Sequence, residues 1–540
     1  MEGDDPRWVG RVTWGFVVLG VALRAFRFAQ NYPLWGDEAF LAVNFIDRSY
    51  RDAFRHLEYG QVCPLFFLWA EQAAVDLLGF REWTLRLFPL LCGIGSVLLF
   101  RSVAATVTRG RALVLAVGIF AASVHPIRHA AEVKPYATDA FIALALLWPA
   151  LGWLRDRRGS GRLWLLTALT PIALGFSHPA AFVAGGIVLG LAWPAWRSGR
   201  WSVRLAFGAF VLATGASFLV LYALTTESQA AVLPGLRAYW SASFPPRDDP
   251  VRLLRWLAWV HTGTMFAYPG GGQNGASTAT SLACAVGAVV LYRKGRRSAA
   301  AVALSPFAMA LVAAAWRRYP YGGEARQMQF VAPSICLLAG IGLAAALEAI
   351  PTVRPRRLAT VAAIALLVVA GLAPVRDDLR HPYRFAYDRR AREFARRFWP
   401  EQSRDADWIC LYRDLDLREP GCLHLRTATY LCNQVIYSPR GRDRPGPWWT
   451  RIDDRHPLRA ILYHETRPDN PRVVAWLAAM RAGFALRDTR RVVVPVAGPG
   501  EPPKYENIII FEFVPKARPP APGRPAERSD RPVDMARVLP

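Results

Sequence analysis

The chain has 540 residues, 53% of them hydrophobic and 12% aromatic, yet its formal net charge is +25. A soluble domain rarely reaches this chain's positive mean hydropathy of +0.17, and a disordered basic chain is never so apolar. The two properties agree only if the apolar residues lie in bilayer spans and the charges between them; collagen-like, disulfide-scaffold and coiled-coil classes are excluded by the lack of their repeats and of dense cysteine.

In chain order, spanning helices are expected over Val9 to Phe28, Leu85 to Val107, Ala112 to Val124, Tyr136 to Leu154, Leu163 to Phe176 and Ala180 to Trp196. Leu205 to Leu224, Ala276 to Tyr292, Ala299 to Trp316, Phe330 to Ile350 and Leu358 to Val375 follow. That makes about eleven, each near or somewhat below the ~20 residues a bilayer requires. Leu253 to Phe266 reads equally as a further span or an interfacial helix. The first run carries Arg24 and Arg27 and no small-residue cleavage site, unlike a signal peptide.

Arginine placement sets the expected orientation. Arg109 and Arg111 follow the second run, Arg155, Arg157, Arg158 and Arg162 the fourth, and Arg197, Arg200 and Arg204 the sixth. Arg293, Lys294, Arg296 and Arg297 follow the eighth, and Arg354, Arg356 and Arg357 the tenth. Every second connection is basic, so those connections and the N-terminus are read as cytoplasmic. The basic excess is thus a topological code and not a nucleic-acid footprint. An integral membrane protein results, of the bacterial inner-membrane kind, with membrane lipids as its surroundings.

Three segments then face outward. Gln30 to Thr84 is a long loop in which Pro64 to Phe80, with Glu71 and Asp76, reads as a helix on the membrane surface. Ser123 to Pro135 is a short loop. Beyond Val375, residues 376–516 read as a small α/β or α+β domain, with strands at Trp408 to Tyr412, Arg459 to Tyr463, Arg491 to Val496 and Asn507 to Val514 and a helix at Pro471 to Gly483. Residues 517–540 are rich in Pro and Arg and are read as disordered. Cys92, Cys284 and Cys336 fall in spans, while Cys63, Cys410, Cys422 and Cys432 fall outside. An oxidising compartment permits a disulfide among the last three, and spacing does not give its pairing.

Neither a Walker A loop nor a strand-to-helix GxGxxG is present, and there is no CxxC or HExxH. Chemistry is instead suggested by charged groups just outside the membrane. Asp37 and Glu38 follow the first run: one reading is a helix-capping pair, the other a carboxylate that accepts or orients a hydroxyl proton. Ser123 to Asp139 gathers His125, Arg128, His129, Glu132, Lys134, Tyr136 and Asp139 at one interface. Lysine is informative here, because among 66 Lys and Arg only Lys134, Lys294, Lys504 and Lys516 are lysine. A compact ammonium suits a phosphate, although lysine and tyrosine also anchor helix ends. His125, His129 and Glu132 also form a weak donor set for a divalent metal, so no cofactor is assigned. His178 lies at an outward turn, and Arg326 lies in a basic outward loop with Glu324, where it is read either as a lipid-phosphate ligand or as a salt bridge.

Taken together, Trp35-Gly36-Asp37-Glu38, Gln61-Val62-Cys63-Pro64-Leu65-Phe66-Phe67, Glu82-Trp83-Thr84-Leu85-Arg86-Leu87-Phe88-Pro89, Glu132-Val133-Lys134-Pro135-Tyr136, Ser177-His178 and Tyr319-Pro320-Tyr321-Gly322-Gly323 resemble the family 39-like glycosyltransferases of the GT-C class. Relatives include protein O-mannosyltransferases and the aminoarabinose transferases that modify lipid A. The resemblance spans Val9 to Val375, within residues 1–375. It departs at Cys63-Pro64-Leu65-Phe66, where relatives carry a Pro-Pro-Leu-Tyr-like run, and at Glu132 to Tyr136, where Glu-Ala-Arg-x-Tyr is common.

The resemblance implies transfer of a sugar from a polyprenyl-phosphate donor to a hydroxyl of a protein, glycan or lipid acceptor, with no nucleic-acid partner. It places the acidic residue of the first loop on Asp37, beside Glu38, and that of the second on Glu132. The corresponding mechanism is a single inverting displacement: Asp37 takes the acceptor proton, Lys134, Arg326 and Arg128 steady the departing phosphate, and Glu132 and His178 place sugar or acceptor, with Tyr136 and Asp139 alongside. A transporter or flippase is the competing class, with a non-catalytic assembly factor as the third. Transporters place charges near span centres and carry inverted repeats, whereas most charges here sit at span ends and no repeat is evident.

Overall fold

A computed structural model describes residues 6–157, 159–226, 233–272, 277–402, 406–411, 425–438, 456–463, 469–495 and 505–516. The expected disordered tail and Cys422 lie outside these residues, so the disulfide expected among Cys410, Cys422 and Cys432 falls partly outside them; Cys410 and Cys432 are buried.

The chain opens with α1 (Arg7–Ala29), α2 (Gly36–Ala42) and α3 (Leu65–Leu78). Next come α4 (Leu87–Val107), α5 (Gly110–Ala122), α6 (Val124–His129), α7 (Tyr136–Asp156), α8 (Gly161–Phe176), α9 (Ala180–Arg197) and α10 (Trp201–Leu221). The helices α11 (Leu233–Tyr239), α12 (Pro250–Thr262), α13 (Thr278–Arg293), α14 (Arg297–Ala315), α15 (Ala332–Glu348) and α16 (Val353–Arg380) follow. Among the described residues, 8 helical segments are long and apolar enough to cross a membrane: those of α1, α4, α7, α9, α10, α14, α15 and α16. With the shorter apolar helices α5, α8 and α13 they account for the runs that hydropathy marks, and the chain is an integral membrane protein.

The ambiguous segment becomes α12. Its 13 residues rise only about 20 Å, short of the hydrocarbon thickness, and Val260 is its one buried residue. The outward loop expected over Ser123 to Pro135 contains a helix, α6. Pro126 in its first turn supplies a helix-compatible φ and gives up no internal hydrogen bond.

The chain divides into two compact units. The first is Met1–Asn31, Tyr50–Ala74 and Leu85–Pro382. At its centre α5 is buried along nearly its whole length, from Leu113 to Ala122. Neighbouring helices of this unit approach closely where small residues face one another. A Cβ on Gly342 would lie 1.9 Å from the Ala283 carbonyl oxygen, and one on Gly287 would lie 2.0 Å from that of Leu338, so α13 and α15 touch backbone to backbone.

The second unit is Tyr32–Ser49, Val75–Thr84 and Tyr383–Pro540. It holds α2, α17 (Ala386–Glu401), α18 (Leu425–Tyr437), α19 (Pro471–Met480) and the strands β1 (Asp407–Cys410), β2 (Leu458–Leu462), β3 (Phe484–Pro495) and β4 (Tyr505–Pro515). The sheet runs β1-β2-β4-β3, with β1 parallel to β2 and the other pairs antiparallel. The parallel pair needs a crossover, and α18 lies in that connection. Strand β3 starts earlier than expected because β4 pairs with it from Phe484 to Pro495, across an irregularity between Leu486 and Asp488. Its charged residues, Arg487 to Arg491, are exposed and so break the apolar alternation. Beneath the sheet Trp399 packs edge-on to Trp408 and Tyr430 stacks on Tyr463.

Candidate active site

In the first unit, α6 and the turn after it carry a charge relay anchored on Glu132. Arg128 donates through Nε to Glu132 Oε1 at 2.7 Å, and the other oxygen, Oε2, lies 2.7 Å from His129 Nδ1. Arg128 and His129 lie in the last turn of α6, and the bend that follows brings Glu132 back against both. Glu132 is only 6% exposed, and both of its oxygens are engaged. Burial lowers the His129 pKa, which Glu132 opposes and the charges of Arg128 and Arg326 reinforce. Neutral His129 therefore donates from Nδ1 to the carboxylate, leaving Nε2 as a lone-pair acceptor with no hydrogen-bond partner among the described residues.

Lys134 reaches across a separation of 73 residues and donates to the Gln61 amide oxygen at 2.6 Å. It too is 6% exposed, so a cation is held in a mostly enclosed place. Cys63 is near enough for that charge to oppose the rise that burial imposes on its thiol. Tyr136 stands edge-on to His129, ring centroids 5.1 Å apart. Asp139 accepts from the Ser177 hydroxyl at 2.6 Å. Beside it, burial holds His178 down at about 4, so the imidazole is neutral at physiological pH. Tyr319 donates to the Gln327 carbonyl at 2.7 Å; burial pushes its own pKa up, with Asp139 and Tyr136 close enough to add to the rise.

Arg326 makes the loop ion pair that one of its two expectations names. Its Nε is 3.8 Å from Glu324 Oε2, a long ion pair, and its guanidinium lies 4.9 Å from the centre of the Trp240 ring. Gly323 lets this loop close on its neighbour, since a Cβ there would meet Ser243 Oγ at 2.0 Å. Arg128, Glu132, Lys134 and Arg326 thus share one neighbourhood with His129 and Tyr136, and Asp139, His178 and Tyr319 adjoin it. The Glu132 charge is taken up locally, so the remaining cations make the place suited to an anion.

Asp37 and Glu38 belong to the second unit. Helix α2 begins at Gly36 after Trp35 as its N-cap, so Asp37 lies within the first turn and is not the cap. Glu38, 1% exposed, is the capping residue: its Oε2 accepts from the Trp35 backbone N–H at 3.3 Å. Asp37 remains partly accessible. Around α2, the Arg384 guanidinium sits 3.3 Å over the Trp35 ring, and Cys432 Sγ lies 3.8 Å from the Ala39 carbonyl oxygen.

Among the described residues no group of three His, Cys, Asp or Glu side chains is arranged to hold a metal ion. In the donor set of His125, His129 and Glu132, the carboxylate is already engaged, since both Glu132 oxygens have partners in Arg128 and His129. Gln61, Ser177 and Tyr319, which the sequence reading carried only as parts of motifs, are further functional candidates. So is Glu71, completely buried, with neither carboxyl oxygen hydrogen-bonded among the described residues, and with burial raising its pKa well above the carboxylate range.

No protein-family model matches the chain, and no curated protein matches its sequence. Solved structures are similar to it in fold. ArnT from Cupriavidus metallidurans in the apo state aligns with a TM-score of 0.48 and 13% identity, over 92% of this chain and 98% of that one. The same protein bound to undecaprenyl phosphate gives 0.47 and 14% over the same shares. The Archaeoglobus fulgidus oligosaccharyltransferase in its apo form gives 0.48 and 11%, over 80% of this chain and 65% of that one. None of these alignments carries a substrate or residue role over to this chain.

Proposed function

We propose that the chain is a membrane glycosyltransferase that moves a sugar from a polyprenyl-phosphate donor to a hydroxyl acceptor on the extracytoplasmic side. The observation that carries the reading is the enclosed cation Lys134, set among Arg128, Arg326 and neutral His129 at an interface where positive-inside placement does not call for positive charge. A phosphate tethered to a membrane lipid matches that charge and that depth.

In the proposed reaction an acceptor oxygen attacks C1 of the sugar from the face opposite the phosphate. The C1–O bond breaks, its electron pair passes to the phosphate, and configuration inverts. Lys134 and Arg326 offset the charge that grows on the leaving phosphate. Glu132 acts through others, fixing Arg128 and the His129 tautomer. Tyr319 and Tyr136 contribute ring surface and hydroxyls, and His178 and Asp139 orient polar groups of donor or acceptor. Asp37 takes the acceptor proton, a role that comes from the resemblance, while Glu38 holds the turn that bears it.

The test is transfer by membranes containing Asp37→Asn or Glu38→Gln, together with mass spectrometry of lipid-linked sugars from a deletion strain. Asp37→Asn is expected to abolish transfer at normal protein level, and the deletion strain to accumulate a polyprenyl-phosphate sugar. Full activity in Asp37→Asn sinks the assignment of the base, and an unchanged lipid-linked pool sinks the donor class.

A further inference from the structure

The first unit has a second charged recess, at the other end of the bundle. Helix α7 starts beside the candidate site at Tyr136 and ends at Asp156 after 21 residues, a rise of about 30 Å. At that far end a cavity of about 1200 Å³ opens where α4, α7, α13 and α15 finish and where α5, α8 and α14 begin. This is the end the alternating arginines assign to the cytoplasm.

Its composition is two-sided. Arg109, Arg155, Arg157, Arg162, Lys294 and Arg296 stand on its wall, opposed by two carboxylates, Asp156 and Glu348. The remaining wall includes buried apolar residues, among them Leu151, Leu291 and Ile341. Part of the positive charge is committed: Arg162 is bonded to Asp156 and to the Gly152 carbonyl, and Arg296 to the Val107 carbonyl. Arg157 and Lys294 are exposed, and among the described residues neither side chain makes a hydrogen bond or ion pair. Positive-inside placement explains arginine at this end of the bundle. It does not explain why cations from three separate connections share one recess with apolar walls. Nor does it explain why lysine, scarce in this chain, is among them.

We propose that this recess binds a phosphate-bearing amphiphile, its phosphate between Arg157 and Lys294 and its apolar part along Leu151, Leu291 and Ile341. The cations supply charge-assisted hydrogen bonds to phosphate oxygens. The apolar wall supplies what a free phosphate does not use, and therefore favours a lipid as the source of the phosphate. The site is separate from the transferase reading and stands whether or not that reading holds.

The experiment uses the full-length protein in nanodiscs of zwitterionic lipid, titrated with dioctanoyl phosphatidic acid or with inorganic pyrophosphate and read by calorimetry. Dioctanoyl phosphatidic acid is expected to bind saturably at one site. The double variant Arg157→Glu/Lys294→Glu is expected to weaken it by about tenfold or more. Arg354→Glu, an exposed cation at the same end but off the recess wall, should change it by no more than about twofold. Ala345→Phe, which narrows the recess without changing charge, should weaken it too, so a folding defect in the charge variant does not leave the idea unexamined. Absence of saturable binding, an equal loss in Arg354→Glu, or unaltered binding in both recess variants overturns the site. Pyrophosphate binding as tightly as the lipid overturns the amphiphile.

Discussion

At the residue scale, the candidate site depends on how each charge is supported. Lys134 drew attention in the sequence because lysine is rare in this chain and was read on the face where a topological signal is not expected. Gln61 was not, since an amide acquires meaning only when folding brings it 2.6 Å from a lysine distant in sequence. Glu132 was read from the sequence as an acid that helps place sugar or acceptor; its hold on Arg128 and His129 becomes visible only when folding brings two partners to its two oxygens. Variants should separate these functions. Lys134→Met removes a cation from the proposed phosphate position and is expected to raise the KM for the lipid-linked donor by roughly 10- to 100-fold, the equivalent of one charge-assisted contact. Glu132→Gln leaves the phosphate contacts in place but frees Arg128 and the His129 tautomer. Its expected signature in steady-state assays is a lower kcat with KM little changed. A rise in KM alone for Glu132→Gln places the carboxylate in direct donor contact instead.

At the element scale, the spans were readable and the joints were not. Long apolar runs between arginine clusters survive single-sequence reading because hydropathy is summed over many residues. Helix α18 escaped notice because its buried side carries Thr427, Thr429, Asn433 and Gln434, which disguise the apolar periodicity. Gln434 is accommodated by accepting from the Tyr463 hydroxyl at 2.7 Å. Helix α17 was hidden by its arginines, which stand around a narrow buried stripe of Ala391, Ala395, Phe398 and Trp399. The contact of α13 with α15 depends on glycine where the sequence offers only another small residue in a span. Gly342→Leu drives a side chain into the Ala283 carbonyl, so the helices must separate. Overpacking of this kind costs about 1–3 kcal/mol. The expected result is a lower thermal midpoint for detergent-solubilised protein, with Gly10→Leu, at a position with open space, as the unaffected control.

At the scale of the whole molecule, the second unit draws together segments from both halves of the sequence, which changes what truncation means. Removing everything after Pro382 takes away Arg384, Tyr387 and Cys432, which lie against Trp35, Gly36 and Ala39 around α2. Such a truncation is expected to end transfer even with the first unit folded, and retained activity refutes the role given to α2. Titration divides the units further. In the first unit His178 is held at about 4 by burial, while an unfolded histidine titrates near 6.5. Between those values the unfolded chain binds a proton that the folded chain refuses, so this contribution is present above about 6.5 and is lost as pH falls. In the second unit Asp388 has the opposite sense. Burial, helped by the charge of Glu38 and opposed by the Tyr387 hydroxyl, raises it to about 8. From about 4 to about 8 the folded chain keeps a proton that the unfolded chain releases, so this contribution is lost as pH rises. Thermal midpoints measured across that range should therefore respond oppositely to two substitutions. His178→Asn is expected to flatten the decline on the acid side. Asp388→Asn keeps the shape, removes the proton from the balance and is expected to raise the midpoint most at the alkaline end. If the Asp388→Asn curve instead runs parallel to that of the unsubstituted protein between pH 5 and 8, Asp388 is ionised in the fold, and the carboxylate must be compensated by a cation such as Arg384.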